Sequence, residues 1–118
     1  MNTRLTGFIG EEDACRYLTK AGMRILDRNY RTRTGEIDLI ARDKGVIVFI
    51  EVKSRATLSY GTPSEAVTKS KQKAIVRTAV VYLKENKLLN ANIRFDVIAI
   101  EDRGIRHIKS AFDTTGLL

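Results

Sequence analysis

Twelve residues separate Asp38 from the triplet Glu51-Val52-Lys53 in the run "GEIDLIARDKGVIVFIEVKSR". Carboxylates and an ammonium at the ends of such apolar stretches suit two arrangements. They hold a hard divalent cation, Mg²⁺ or Mn²⁺, through oxygen ligands, or they neutralise one another as a surface salt-bridge cluster with Lys53 and a nearby arginine. The spacing bears on the choice. If Lys44-Gly45 is a two-residue turn, Asp43 pairs with Val46, and counting outward pairs Ile40 with Phe49, Leu39 with Ile50 and Ile37 with Val52. The same register sets Asp38 opposite Glu51 and Glu36 opposite Lys53. Directly opposed residues have Cβ atoms about 4.5–5.5 Å apart, where like charges repel, and a one-residue slip would send the acids to opposite faces. Apolar neighbours on both sides (Val48, Phe49, Ile50) mark a central strand with a polar pocket at its end, which favours the cation.

A second acid stands out in the first helix. At 3.6 residues per turn Phe8, Ala14, Cys15, Leu18 and Ala21 form an apolar stripe, and Glu11 falls inside it. An acid aimed at a core needs a partner; the bland alternative is a packed stem with its head in water.

These residues need a scaffold, and the remaining pattern supplies one. A helix is expected over Thr3–Ala21, closed by Gly22. Strands are expected at Met23–Arg31, Glu36–Arg42 and Val46–Lys53, then a polar loop over Ser54–Gly61. "TPSE" reads as a helix start, with Thr62 as N-cap, Pro63 first in the helix and Glu65 in the first turn. That helix runs to about Asn86, with a break near Thr68 allowed, on the stripe Ile75, Val76, Ala79, Val80, Tyr82 and Leu83. Strands at Ile93–Ile100 and Ile105–Lys109 complete the order αβββαββ, an α/β domain with a mixed sheet flanked by helices.

The chain has 118 residues, which suits one domain. No apolar run nears the roughly 18 residues of a membrane span, and no signal-peptide core precedes the first helix. One cysteine, Cys15, leaves no internal disulfide and no cysteine cage. Together these point to the cytoplasm and away from the membrane. The net charge is +7, from 21 Lys and Arg against 14 Asp and Glu. The excess clusters in Arg24–Arg33, Lys53–Arg55 and Lys69–Arg77, as expected of a protein that meets a polyanion. Lys69, Lys71, Gln72 and Lys73 of "TKSKQK", with Arg55, are candidate phosphate contacts, against the alternative of a solvated helix face. His107, the one histidine, reads as a surface residue. Asp96 interrupts the strand "RFDVIAI" and is expected to pair with Arg94 or a helix lysine.

Asp38, twelve residues, then Glu51-Val52-Lys53 resembles the acidic core of the PD-(D/E)xK, restriction-endonuclease-like superfamily, although Ile37 stands where that pattern has proline. "TGFIGEEDA", "ILDRNYRTRTGEIDLIARD", "VFIEVKSR", "AVTKSKQ" and "RFDVIAI" closely resemble the YraN-like family of small bacterial proteins, over nearly the whole chain. That family is similar to archaeal Holliday junction resolvases. The resemblance implies a restriction-endonuclease-like fold with five strands. It also implies a magnesium-dependent endonuclease, a hydrolase of phosphodiester bonds acting on branched or structured nucleic acid, DNA before RNA, with room for a homodimer. Asp38 and Glu51 would hold the metal with the Val52 carbonyl as a third oxygen. Lys53 would position the attacking water or contact the phosphate. Glu11 matches the helix glutamate that approaches the metal in similar nucleases. Glu36 is left as an outer acid or the partner of Lys53. Two other classes compete: a nucleic-acid-binding module without catalysis, and a protein-interaction domain with a basic face.

Overall fold

The computed structural model describes residues 3–54, 67–101 and 104–116, with side chains of the first helix from Gly10 onward. The elements are α1 (Thr3–Lys20), β1 (Arg24–Thr32), β2 (Gly35–Asp43), β3 (Val46–Ser54), α2 (Lys69–Glu85), β4 (Asn92–Glu101) and β5 (Gly104–Phe112). The expected order αβββαββ is the observed one. "TPSE" and Arg55 lie outside the described residues. The described part of the second helix begins at Lys69, after Thr68, whose hydroxyl accepts from the Lys71 amide.

The five strands lie in the order β1-β2-β3-β4-β5. β3 and β4 are parallel and the other neighbours antiparallel. α2 lies on the crossover between the parallel pair, the connection that parallel strands require. The two helices cover different faces. Ala14 and Leu18 of α1 pack with Leu39, Ala41, Val48, Ile50 and Ile98. Ile75, Val76, Ala79, Tyr82 and Leu83 of α2 pack with Ile37, Ile40, Ile47, Phe49, Phe95 and Val97. β3 thus alternates cleanly between two cores, as a central strand must.

Local chemistry fixes the ends of these elements. α1 stops at Gly22, whose φ of +93° suits glycine. The Met23 amide reaches the Leu18 carbonyl at 2.9 Å and the Gly22 amide that of Thr19 at 3.1 Å. This is a Schellman stop with buried Met23 beside Leu18. Ala21, expected in the apolar stripe, is exposed beyond the helix end. The β1–β2 turn docks onto α2. Thr34 Oγ1 lies 2.8 Å from Thr78 Oγ1, and Thr78 also donates to the Ala74 carbonyl at 2.7 Å. Gly35, at φ +150°, leaves no room for more: a Cβ there would stand 3.2 Å from the Ala74 Cβ. That close approach sets the start of the strand carrying Asp38.

Candidate active site

The β2–β3 ladder runs from Asp43↔Val46 to Leu39↔Ile50 and no further. Up to that point the expected register holds. Beyond it the expected pairs Ile37–Val52, Asp38–Glu51 and Glu36–Lys53 are not made. β2 stays paired with β1 as far as Thr32↔Gly35, and β3 stays paired with β4 as far as Ser54↔Ile100. A fork therefore opens between β2 and β3. Its cause is a change of face in β2. Leu39 packs in the α1 core and Ile37 in the α2 core, although residues two apart on a regular strand share a face. Asp38, between them, is turned sideways into the fork.

Asp38 Oδ2 accepts the Val52 amide at 2.8 Å, in place of a ladder bond. Glu51 stands on the α2 face, level with Val97 of the α2 core, and its side chain is 7% exposed. Burial, the Glu51 charge and a hydrogen bond between the two carboxyls push the Asp38 pKa well above the ordinary carboxylate range, against the pull of the Val52 amide. Glu11 meets Asp38 from the α1 side. Half-burial and the charge of Asp38 raise its pKa, with Glu36 adding to this and a hydrogen bond from Asn29 opposing it. Three acids thus converge on one gap from both faces of the sheet, with Asp38 common to both sides.

Among the described residues, cations near the acids are few. Lys71 Nζ lies 3.8 Å from Glu51 Oε2, at the outer limit of an ion pair, with its side chain 46% exposed. Lys53 follows Glu51 by two positions on the same strand and is half-buried. Of the neutralisation weighed as the alternative, with Lys53 and a nearby arginine, the described residues show this one reach from α2. Glu36 pairs with Arg31 across β1 and β2 at 3.1 Å, so Arg31 takes the part weighed for Lys53. Lys69 and Lys73 are exposed on α2, as phosphate contacts require. Gln72 is not: it is 8% exposed, its Nε2 donates to the Val67 carbonyl at 2.9 Å, and its Oε1 is buried without a partner among the described residues.

These residues fit a hard divalent cation by their chemistry. A buried carboxyl pair that has to keep a proton lacks positive charge, and the donors at hand are oxygens. An extended residue directs its N–H and C=O to the same side, so the Val52 carbonyl opens into the fork that its amide enters. Among the described residues, no group of three or more His, Cys, Asp or Glu side chains is close enough together to hold a metal ion. The oxygens that would serve such an ion are those of the pair and the carbonyl, with Glu11 on the opposite face.

Asp96 behaves differently. Its carboxylate, fully buried, accepts from Arg94 Nε at 2.9 Å and Arg94 Nη2 at 3.1 Å, from His107 Nε2 at 2.7 Å and from the Ser110 amide at 3.0 Å. Arg94 continues to Asp43 at 3.1 Å, and His107 Nδ1 meets the Tyr17 hydroxyl of α1 at 3.2 Å. The expected Asp96–Arg94 pair is present. His107 is not a surface residue; its side chain is 4% exposed, because it stands opposite Ile98 on the α1 face, diagonal to Asp96 and covered by Tyr17. A cleft of about 430 Å³ between Ile93, Arg94 and Ser110–Thr114 opens at the far end of β4. Of its polar lining, Arg94 and the Ser110 amide are already committed to Asp96, and Asp113 accepts from the Thr115 amide.

Asn29 and the Thr34–Gly35–Thr78 contact were missed in the sequence. An asparagine inside a strand pattern is a signal for Asn29, since asparagine is depleted from strands and tolerates positive φ. A threonine at a core position of an apolar helix is the signal for Thr78.

Fold and site define a class: a small α/β domain with buried acids where its one parallel strand pair ends, the end at which α/β sheets place their sites. Within it, residues 10–100 match the family described as "Uncharacterised protein family UPF0102", and the chain belongs to that family. It is similar to a UPF0102 protein of Rhodococcus opacus (50% identity, 90% of this chain and 94% of the relative). It is also similar to one of Persephonella marina (45%, 92% and 94%) and one of Lachnoclostridium phytofermentans (46%, 98% and 99%). No helix among the described residues is long and apolar enough to cross a membrane.

Proposed function

We propose that this protein is a metal-dependent nuclease that hydrolyses phosphodiester bonds of branched or structured DNA. The observation that carries the reading is Asp38: a carboxyl turned into the fork between Glu51 and Glu11, held in a state its own charge opposes. Such acids cluster at functional sites. Asp38, Glu51 and the Val52 carbonyl would hold Mg²⁺ or Mn²⁺, which supplies Lewis acidity and a deprotonated water. Lys53, beyond Glu51 at the mouth of the fork, orients that water or meets the phosphate. Lys69 and Lys73 hold the backbone of the substrate in place, and the +7 charge draws it in.

A non-catalytic nucleic-acid-binding module is the second reading, and one contact favours it: Lys71 near Glu51 supplies positive charge from the protein itself. Cleavage assays on linear, flapped and four-way-junction DNA, with Mg²⁺, Mn²⁺ or chelator, separate the two. The nuclease reading expects metal-dependent products that disappear in Asp38→Asn and Glu51→Gln. Salt-dependent binding without products on any substrate, at saturating metal, establishes the module instead.

A further inference from the structure

In the β1–β2 ladder Arg28 stands opposite Leu39 and Tyr30 opposite Ile37, so Asn29 and Asp38 occupy the step between. Both strands change face at this step. Arg28 bonds Glu12 of α1, whereas Tyr30 packs on the α2 core, its ring 5.2 Å from that of Tyr82. Leu39 and Ile37 make the same exchange on β2. A regular pair of strands does not do this; one residue has to leave the β region. That residue is Asn29, at φ +52°. Left-handed backbone is costly for most residues and tolerated by asparagine, whose short amide finds local partners.

We propose that Asn29 is the positioning residue of the acid site: its left-handed backbone turns β1 and β2 over together, which aims Asp38 into the fork rather than onto either face of the sheet. Its side chain has a second task. The Asn29 side chain also acts on Glu11, pulling its pKa down against burial, so one residue sets the direction of Asp38 and steadies the acid arriving from α1. Asn29 touches no reacting atom; it acts through Asp38 and Glu11.

The inference deepens the proposed function, yet its main test is independent of any metal. The Val52 amide, bonded to Asp38 Oδ2, reports whether Asp38 is in the fork. Hydrogen exchange is read by NMR in metal-free wild type, Asn29→Gly, Asn29→Ala and Asn29→Val, with the Phe49 amide of the same strand as the control for global opening. Glycine keeps the left-handed turn, so Val52 protection relative to Phe49 is retained. Valine opposes that turn strongly, and alanine less so; relative protection falls about tenfold or more in Asn29→Val and by less in Asn29→Ala. If Asn29→Val does not fold, the Gly–Ala pair decides on its own, since the two must differ. Equal Val52 protection in the folded variants overturns the proposal. Mn²⁺ affinity by EPR is read alongside. If wild type takes up no Mn²⁺ while Val52 protection follows the expected order, the metal reading fails and the role of Asn29 stands.

Discussion

Two aspartates sit in the same sheet and meet opposite fates. Asp96 is buried without exposed surface, and burial alone would raise its pKa; hydrogen bonds from His107, Arg94 and the Ser110 amide outweigh this and lower it. Asp38 is better placed to meet solvent through the fork, yet its pKa is driven up, first by burial and then by the charge of Glu51, with only the Val52 amide pulling the other way. Depth therefore does not decide the cost of a buried carboxylate; the partners do. The Asp96 network is complete and serves the fold. The Asp38 cluster is incomplete, and an incomplete cluster of oxygens is the one suited to bind something.

The sharpest way to break this contrast is to delete each carboxylate. Asp96→Ala strands Arg94 and His107 without their acceptor and should cost about 3–5 kcal/mol in urea denaturation, the usual result of removing one partner of a buried charge pair. Asp38→Asn keeps an acceptor for the Val52 amide and removes only the repulsion, so the metal-free melting temperature should hold or rise. Comparable losses in the two variants would mean that Asp38 is compensated after all. Next in size is the frame of the fork. Gly35→Ala forces a Cβ against Ala74 in a backbone conformation that favours glycine, and a loss of about 1–3 kcal/mol is expected.

The pH dependence separates the two acids by sign. Folded Asp38 keeps its proton to higher pH than the unfolded chain does. Its contribution is thus fully present below the ordinary value of 3.8 and is lost as pH rises through the higher folded value. Asp96 is the reverse: its contribution is present above 3.8 and lost as pH falls through its lowered value. In denaturation curves taken over pH without metal, Asp38→Asn should gain on wild type as pH rises. A gap between the two that stays constant with pH would remove the basis for the raised Asp38 pKa. The smallest effects belong to the rim. Glu11→Gln should weaken Mn²⁺ binding by a few-fold, whereas Glu12→Gln, which loses an exposed pair with Arg28, should leave it unchanged. Arg31→Ala should change stability by no more than about 0.5 kcal/mol, because its pair with Glu36 is exposed. Equal Mn²⁺ losses at Glu11 and Glu12 would remove Glu11 from the site.

Much of this was legible in the residues because short-range periodicity carried it. The hairpin register from Asp43↔Val46 to Leu39↔Ile50, the central position of β3 and the inward aim of Glu11 all follow from counting. The fork did not follow from counting, because one non-repeating backbone angle at Asn29 resets the faces of two strands, and alternation extrapolated past it gives the wrong neighbours for Ile37 and Val52. His107 was misread for another reason. The α1 helix, through Tyr17, covers the face on which His107 lies diagonal to Asp96, and a polar residue on an alternating edge strand gives no sign of that cover. Gln72 looked like one more polar residue among lysines; only helix phase against the sheet shows that it faces inward.

The irregular pairings at the two sides of the sheet have a consequence of another kind. β1 and β5 are the outer strands, and an outer strand offers unpaired amides and carbonyls to any passing chain. The β1–β2 ladder slips between Ile25 and Asp27, and the β4–β5 ladder slips between Phe95 and Val97. Each slip bends its strand and breaks the even spacing that a sixth strand would have to match. On β5 the displaced Ser110 amide is further taken up by Asp96, so a donor that could recruit a neighbour is turned inward. The same irregularities that shape the interior thus work against growth of the sheet by strand addition at either flank.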